Sequence, residues 1–153
     1  VDYPRTVSSR WKEKLTDLRL ARRSRKASLP GGPSRPPTTP KGRAGEDEAA
    51  RYLEERGLLV VARNVRAGGG EIDLVASDEG RVVFVEVKWR RDSSRGTPAD
   101  AVTPAKRKRI LSAARAWLAE NPSGLSREVR FDVVAIDGGA AKIDWIRGAF
   151  DAT

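Results

Sequence analysis

The sequence predicts an α/β domain with a central mixed sheet. Three observations carry that prediction. Two stretches place apolar residues at helical spacing, five short runs are rich in β-branched residues, and each run is bounded by turn-forming residues. Their order is helix, strand, strand, strand, helix, strand, with an extra C-terminal strand. A chain of 153 residues is long enough for one domain with a substantial core.

The first helix is read from GRAGEDEAARYLEERG, which starts near Lys41 and ends at Gly57. Ala49, Ala50 and Leu53 form its inward stripe, and Glu46 heads that stripe while Asp47 and Glu48 point elsewhere. An acid there also suits the positive end of a helix, so Glu46 by itself is ambiguous. LLVVARNV, residues 58–65, is the first strand, and GGGEIDLVASDEGRVVFVEVKWR supplies a hairpin of two more. The second helix is VTPAKRKRILSAARAWLAENP. Thr103 is its expected N-cap, Pro104 its first residue, Ile110, Ala114, Trp117 and Leu118 its core stripe, and Asn121-Pro122 its stop. VRFDVVAI and AKIDWI, joined by Asp137-Gly138-Gly139, are the last two strands.

Residues 1–40 stand apart from this pattern. They hold +7 of the net charge of +9, leaving +2 for residues 41–153. The stretch LPGGPSRPPTTP, residues 29–40, contains five of the nine prolines and reads as a linker. Upstream, Trp11, Leu15 and Leu18 would give only a narrow apolar stripe. The extension is therefore expected to be a disordered basic tail, or a segment that attaches to nucleic acid or an anionic surface. The domain proper is assigned to residues 41–153.

The chain contains no Cys and no His. Disulfides, thiolate-zinc sites and imidazole chemistry are excluded, which leaves carboxylates, Lys, Ser/Thr and Tyr. The apolar runs are too short to span a bilayer, and no apolar signal core follows the basic start. A cytoplasmic protein without membrane contact is expected.

The hairpin raises the functional question. Glu71, Asp73, Glu86 and Lys88 interrupt an otherwise apolar segment. If the turn is the two-residue loop Glu79-Gly80, Asp73 falls opposite Glu86 and Glu71 opposite Lys88, all on one side of the sheet. The Glu71–Lys88 pair reads as a salt bridge. Two carboxylates about 5 Å apart, however, repel by roughly 3 kcal/mol at an effective dielectric near 20. Either one acid is protonated, or a cation lies between them, or both sit at solvated strand ends. Oxygen-only ligands suit Mg²⁺ or Mn²⁺.

Asp73, a short hairpin and then Glu86-Val87-Lys88 resemble the PD-(D/E)xK signature of restriction-endonuclease-like nucleases, with Ile72 where the motif's Pro would stand. More specifically, GRAGEDEAARYLEERG, GGGEIDLVA, VVFVEVKWR, GTPADAVTPAKRKRI and RFDVVAI, in that order, resemble the YraN-like family of bacterial proteins within that fold. The resemblance implies a restriction-endonuclease-like core. Gly42 and Glu46 match the G-x-x-x-E of the similar archaeal Holliday-junction resolvases, which implies that Glu46 joins the hairpin acids at a metal.

The function expected from this resemblance is metal-dependent hydrolysis of phosphodiester bonds in DNA, with branched or single-stranded DNA in repair or recombination as the substrate class. Glu46, Asp73, Glu86 and the Val87 carbonyl would hold one or two Mg²⁺ or Mn²⁺ ions. Asp73, Glu86 and Lys88 would be catalytic, and Glu71 would tether Lys88. Arg90, Arg91, Arg95, Lys106, Arg107, Lys108 and Arg109 are the expected DNA contacts. The four consecutive cations from Lys106 oppose the dipole at their helix start, so a docked phosphate would explain them, as would a solvated basic face. Junction-cutting relatives of this fold work as dimers, so the resemblance allows a homodimer, although the sequence itself does not set the oligomeric state. The alternative function is a non-catalytic DNA-binding accessory in recombination or DNA uptake.

Overall fold

The computed structural model describes residues 40–90, 102–121, 128–138 and 142–152. The basic extension before Pro40, together with Arg91 and Arg95, lies outside the described residues. The elements follow the expected order: α1 (Pro40–Glu55), β1 (Leu59–Ala67), β2 (Gly70–Asp78), β3 (Arg81–Arg90), α2 (Pro104–Glu120), β4 (Val129–Asp137) and β5 (Lys142–Phe150). The sheet keeps chain order from β1 to β5. Every neighbouring pair is antiparallel except β3–β4, which is parallel and spanned by α2. A parallel pair needs such a long crossover, so α2 is what makes the sheet mixed.

Each helix covers one face. The predicted stripe of α1, Ala49, Ala50 and Leu53, is fully buried against Leu74, Ala76, Val83, Val85, Val134 and Ile136. The chain leaves α1 through a Schellman turn, with Leu58 N–H donating to the Leu53 carbonyl and Gly57 N–H to that of Glu54. On the other face Ile110, Ala113, Ala114 and Trp117 of α2 pack on Ile72, Val75, Val82, Phe84, Phe131 and Val133. Phe131 stacks on Phe84 at 5.5 Å and on Phe150 at 5.0 Å between ring centroids, and Trp117 meets Phe84 edge-on at 5.8 Å. Thr103 caps α2 as expected, its Oγ1 accepting from Lys106 N–H at 3.2 Å.

The β1–β2 turn is pressed onto the backbone of α2. A Cβ on Gly70 would lie 2.0 Å from the carbonyl oxygen of Arg109, a backbone atom that cannot swing aside. Ser112 Oγ donates to the Gly68 carbonyl in the same contact. This contact fixes the height of α2 above the sheet and hence the reach of its first-turn side chains. Gly70→Ala is therefore expected to lower stability by about 2 kcal/mol, in the range of overpacked cores, read as an earlier denaturant midpoint.

The β2–β3 hairpin has the predicted register. Asp78 pairs with Arg81 and Leu74 with Val85, around a turn in which Glu79 (φ 49°) and Gly80 (φ 89°) both take the left-handed conformation of a type I′ loop. Beyond Leu74–Val85 the structure departs from expectation. Leu74 and Ala76 face α1 and Val75 faces α2, yet Ile72 also packs on the α2 side. Alternation therefore slips at Asp73. β1 slips at the matching place: Ala62 and Val65 both pack on the α2 side, with Asn64 between them at φ 49°. Because Arg63 pairs with Leu74 and Val65 with Ile72, the two slips face each other. The paired β2–β3 ladder ends one step before Asp73, and the start of β2 continues along β1 alone.

Candidate functional site

That break in the ladder is where the charged residues gather. Asp73 does not pair with Glu86 across an intact ladder, as the sequence suggested. Its Oδ2 instead accepts the backbone N–H of Val87 at 2.8 Å and takes the place of a ladder bond. Glu86, near the end of β3, is only 4% exposed. Its Oε1 lies 3.1 Å from Lys88 Nζ and 3.4 Å from Lys106 Nζ of α2, while Oε2 is buried with no hydrogen-bond partner among the described residues. Glu46 comes in from α1 as its place on the buried face predicted, and its Oε2 accepts from Asn64 Nδ2 at 2.9 Å.

The electrostatics follow from this crowding. Burial, and next the charge of Glu86, push the Asp73 carboxyl up to about 8; the Val87 N–H and Lys106 oppose the rise. Burial likewise raises Glu46, assisted by Glu71 and opposed by the Asn64 hydrogen bond. Glu46, Asp73 and Glu86 thus share one electrostatic neighbourhood at the end of the sheet.

Two expected roles change. Glu71 does not tether Lys88: with the ladder broken, Glu71 pairs with Arg66 on β1, its Oε2 3.8 Å from Arg66 Nε, while Lys88 turns to Glu86 two residues earlier on its own strand. The four cations of α2 are not equivalent either. Lys106 is committed to Glu86, and Arg107 donates to the Val102 carbonyl at 3.2 Å and lies over the Phe150 ring. Only Lys108 and Arg109 are exposed. Arg90 is half-buried, and its backbone carbonyl accepts from Gly138 N–H at 3.0 Å.

One contributor, Asn64, was missed in the sequence, and a second, Lys106, was expected as a DNA contact and not beside Glu86. Asn64, whose amide holds Glu46, had a legible signal: an Asn inside a strand pattern is the residue type that tolerates positive φ. Lys106 reaches Glu86 only because of how α2 is seated, which no local pattern encodes.

The donor set can be tested for a cation. Among the described residues no group of three acids stands ready to hold a metal ion. The reason is visible in their partners: Glu46 is held by Asn64, Asp73 by Val87 N–H, and Glu86 Oε1 by two ammonium groups. The orphaned Glu86 Oε2 and an Asp73 carboxyl whose pKa is raised by burial and by Glu86 nevertheless fit an oxygen-ligated divalent ion, which would satisfy the one oxygen and favour the ionised form of the other.

The profile of the uncharacterised protein family UPF0102 matches residues 45–136, a span that contains Glu46, Asp73, Glu86, Lys88 and Lys106. The chain belongs to that family. A UPF0102 protein of Ralstonia pickettii is 52% identical over 119 residues, covering 75% of this chain and 93% of the relative. Relatives in Klebsiella pneumoniae (44% over 127 residues, 81% and 98% covered) and Rhodococcus opacus (50% over 112 residues, 71% and 94% covered) are similar in extent. This agrees with the YraN-like resemblance read from the five sequence blocks. Among solved structures, the crystal structure of SSO0001 aligns at 16% identity and a TM-score of 0.34, over 94% of this chain and 63% of that one, a likeness that carries no argument. No described helix is long and apolar enough to cross a membrane.

Proposed function

We propose that this UPF0102 protein is a Mg²⁺- or Mn²⁺-dependent nuclease that hydrolyses phosphodiester bonds in DNA on a restriction-endonuclease-like core. The observation that carries this reading is the acid pair at the ladder break, half-buried Asp73 and buried Glu86, with Glu86 Oε2 unpartnered and two ammonium groups against Oε1. A hairpin selected only for stability gains nothing from that arrangement, whereas a site for a cation and a phosphate needs both signs of charge together.

Asp73, Glu86 and the Val87 carbonyl would hold the ion, with Glu46 joining once it is released from Asn64. A divalent ion there supplies charge neutralisation at the phosphate and a more acidic bound water. Lys88, no longer needed by Glu86, donates from Nζ to a phosphate oxygen and orients the attacking water. Lys106 does the same from the helix side. Exposed Lys108 and Arg109 add attraction for the DNA backbone.

The pH dependence has a definite sign. Asp73 keeps its proton up to about 8 and must lose it to act as a ligand. Apparent Mn²⁺ affinity is therefore expected to rise by up to about tenfold per pH unit between 6 and 8 and to level off above that, with proton release on binding. Calorimetric titrations in buffers of different ionisation enthalpy measure both.

Cleavage of a panel of duplex, flap, junction and single-stranded DNAs with Mn²⁺ tests the reaction itself. Lys88→Ala is expected to retain Mn²⁺ binding, since Lys is no ligand, and to lose about two orders of magnitude or more in cleavage. The commitment of both lysines to Glu86 also favours a second reading, a non-catalytic DNA-binding accessory in which they neutralise a residual acid. DNA binding that is indifferent to Mn²⁺, with no cleavage of any substrate, would select it.

A further inference from the structure

Three residues beyond Glu86 on β3 stands the one large hydrophobic side chain exposed among the described residues, Trp89, at 44%. Its surroundings are unusual for a ring left in water. A Cβ on Gly138, at the end of β4, would lie 2.7 Å from Trp89 Cζ2 and 3.1 Å from Nε1. A Cβ on Gly45 of α1 would lie 3.3 Å from Cε3. The indole thus spans from one glycine to the other, and Gly138 has to be Gly for it to lie there. Gly138 and Gly45 lie against different edges of the ring, which remains 44% exposed. Trp117 and Trp145, by contrast, are packed: Trp117 against Phe84, and Trp145 with its Nε1 donating to Asp132.

The position relative to the acids is informative. Glu86 and Lys88 face α2, where Lys106 meets them, whereas Trp89 faces α1. Three residues of strand put the ring about 10 Å from Glu86 along the chain and on the other side of the sheet. A stacked base in intact duplex cannot follow a backbone held at Lys88 and also reach around the sheet end to the indole. An unpaired nucleotide can. Stacking of bases on an exposed aromatic is sequence-tolerant, since every base has a π face. The positive charge lies across the sheet from the ring, at Lys88 beside Glu86 and at exposed Lys108 and Arg109 of α2, so a polyanion held there reaches Trp89 by rounding the sheet end.

We infer that Trp89 is a stacking platform for an unpaired nucleobase, so that the substrate is DNA carrying a single-stranded segment beside the bond at Glu86 and Lys88. The inference rests on the nuclease reading for its substrate, but its test does not depend on cleavage. Binding of a fluorescently end-labelled single-stranded oligonucleotide is measured in EDTA for the full chain, Trp89→Phe and Trp89→Leu. Leu keeps apolar contact with Gly45 and Gly138 but has no π face. It is expected to bind about tenfold more weakly, with Phe close to the wild type, in keeping with one base stacked per platform. The same oligonucleotide should quench wild-type tryptophan emission, and an oligonucleotide of abasic residues should not. Melting temperatures of the variants confirm that each is folded.

Equal affinity of Leu and wild type overturns the inference, as does equal quenching by the abasic strand. So does loss of a co-purifying protein from Trp89→Leu with oligonucleotide affinity unchanged, which would make the ring a protein contact. If the stacking results hold while no DNA is cleaved with Mn²⁺, the platform stands and the nuclease reading fails. If cleavage occurs and Trp89→Leu cleaves single-stranded substrates as fast as the wild type, the nuclease reading stands and the platform fails.

Discussion

Asp73→Asn is expected to melt several degrees higher than the wild type in EDTA at neutral pH, while losing both Mn²⁺-induced stabilisation and cleavage. The sign follows from linkage. In the unfolded chain this carboxyl titrates near 3.8, and in the folded protein burial and Glu86 raise it to about 8. Between those values the native state binds the extra proton, so stability falls as pH rises from about 4 to about 8 and is flat beyond. Asn carries no such burden, and its Oδ1 still accepts the Val87 N–H. The gap between variant and wild type should therefore vanish near pH 4 and be widest at pH 8 and above, at a few kcal/mol. Adding Mn²⁺ should reverse the order, because only the wild type gains stability by mass action. Identical melting of the two proteins at pH 8, with and without Mn²⁺, would remove the basis for a cation site.

How much of this was legible in the sequence depends on the range over which each feature is decided. The hairpin register was legible because Glu79-Gly80 fixes it locally and the flanking apolar residues agree. The α1 stripe and the Thr103 cap were legible for the same reason, as was Glu46 at the head of that stripe. The break at Asp73 was not. It needs a slip in β2 and a matching slip at Asn64 in β1, and a slip in one strand alone would simply unpair it. Continuing strict alternation through Asp73 therefore placed Glu71 opposite Lys88, where the chain places it beside Arg66. The roles of the α2 cations depend on tertiary seating, fixed by the contact of Gly70 with Arg109, so a run of four like charges resolved into a partner of Glu86, a packed guanidinium and two exposed residues.

Asp132 shows that a buried acid can be purely structural, and the same chemical change there is expected to act in the opposite direction. It was read as one residue of a strand, yet it is the most buried charge among the described residues, with 0% exposure. At its position β5 sets the three residues Arg147, Gly148 and Ala149 against the single Asp132 of β4, between the pairs Val133–Ile146 and Phe131–Phe150, with Gly148 at φ 60° in the bulge. The Asp132 carboxylate fills the gap. Arg130 grips it from Nε at 2.8 Å and Nη2 at 2.9 Å, Trp145 Nε1 donates at 2.9 Å and Gly148 N–H at 3.0 Å. Arg130 also reaches Asp78 at the β2–β3 turn, at 2.9 Å, so the cluster ties the bulge to the hairpin. Four donors converge on an anion that needs all of them, whereas Glu86 retains a bare oxygen. Asp132→Asn turns one acceptor into a donor among donors and leaves Arg130 with half its counter-charge. The expected cost is about 3 kcal/mol, in the range for breaking a buried pair, or roughly 10 °C in melting temperature for a chain of this size. Mn²⁺ binding should survive, because Asp132 faces α1 and shares no partner with Asp73 or Glu86. Paired melts of Asp73→Asn and Asp132→Asn in EDTA at pH 8 should therefore move to opposite sides of the wild type. A shift of both in the same direction would mean that the two carboxylates do not divide into an unsatisfied site acid and a fully satisfied structural one.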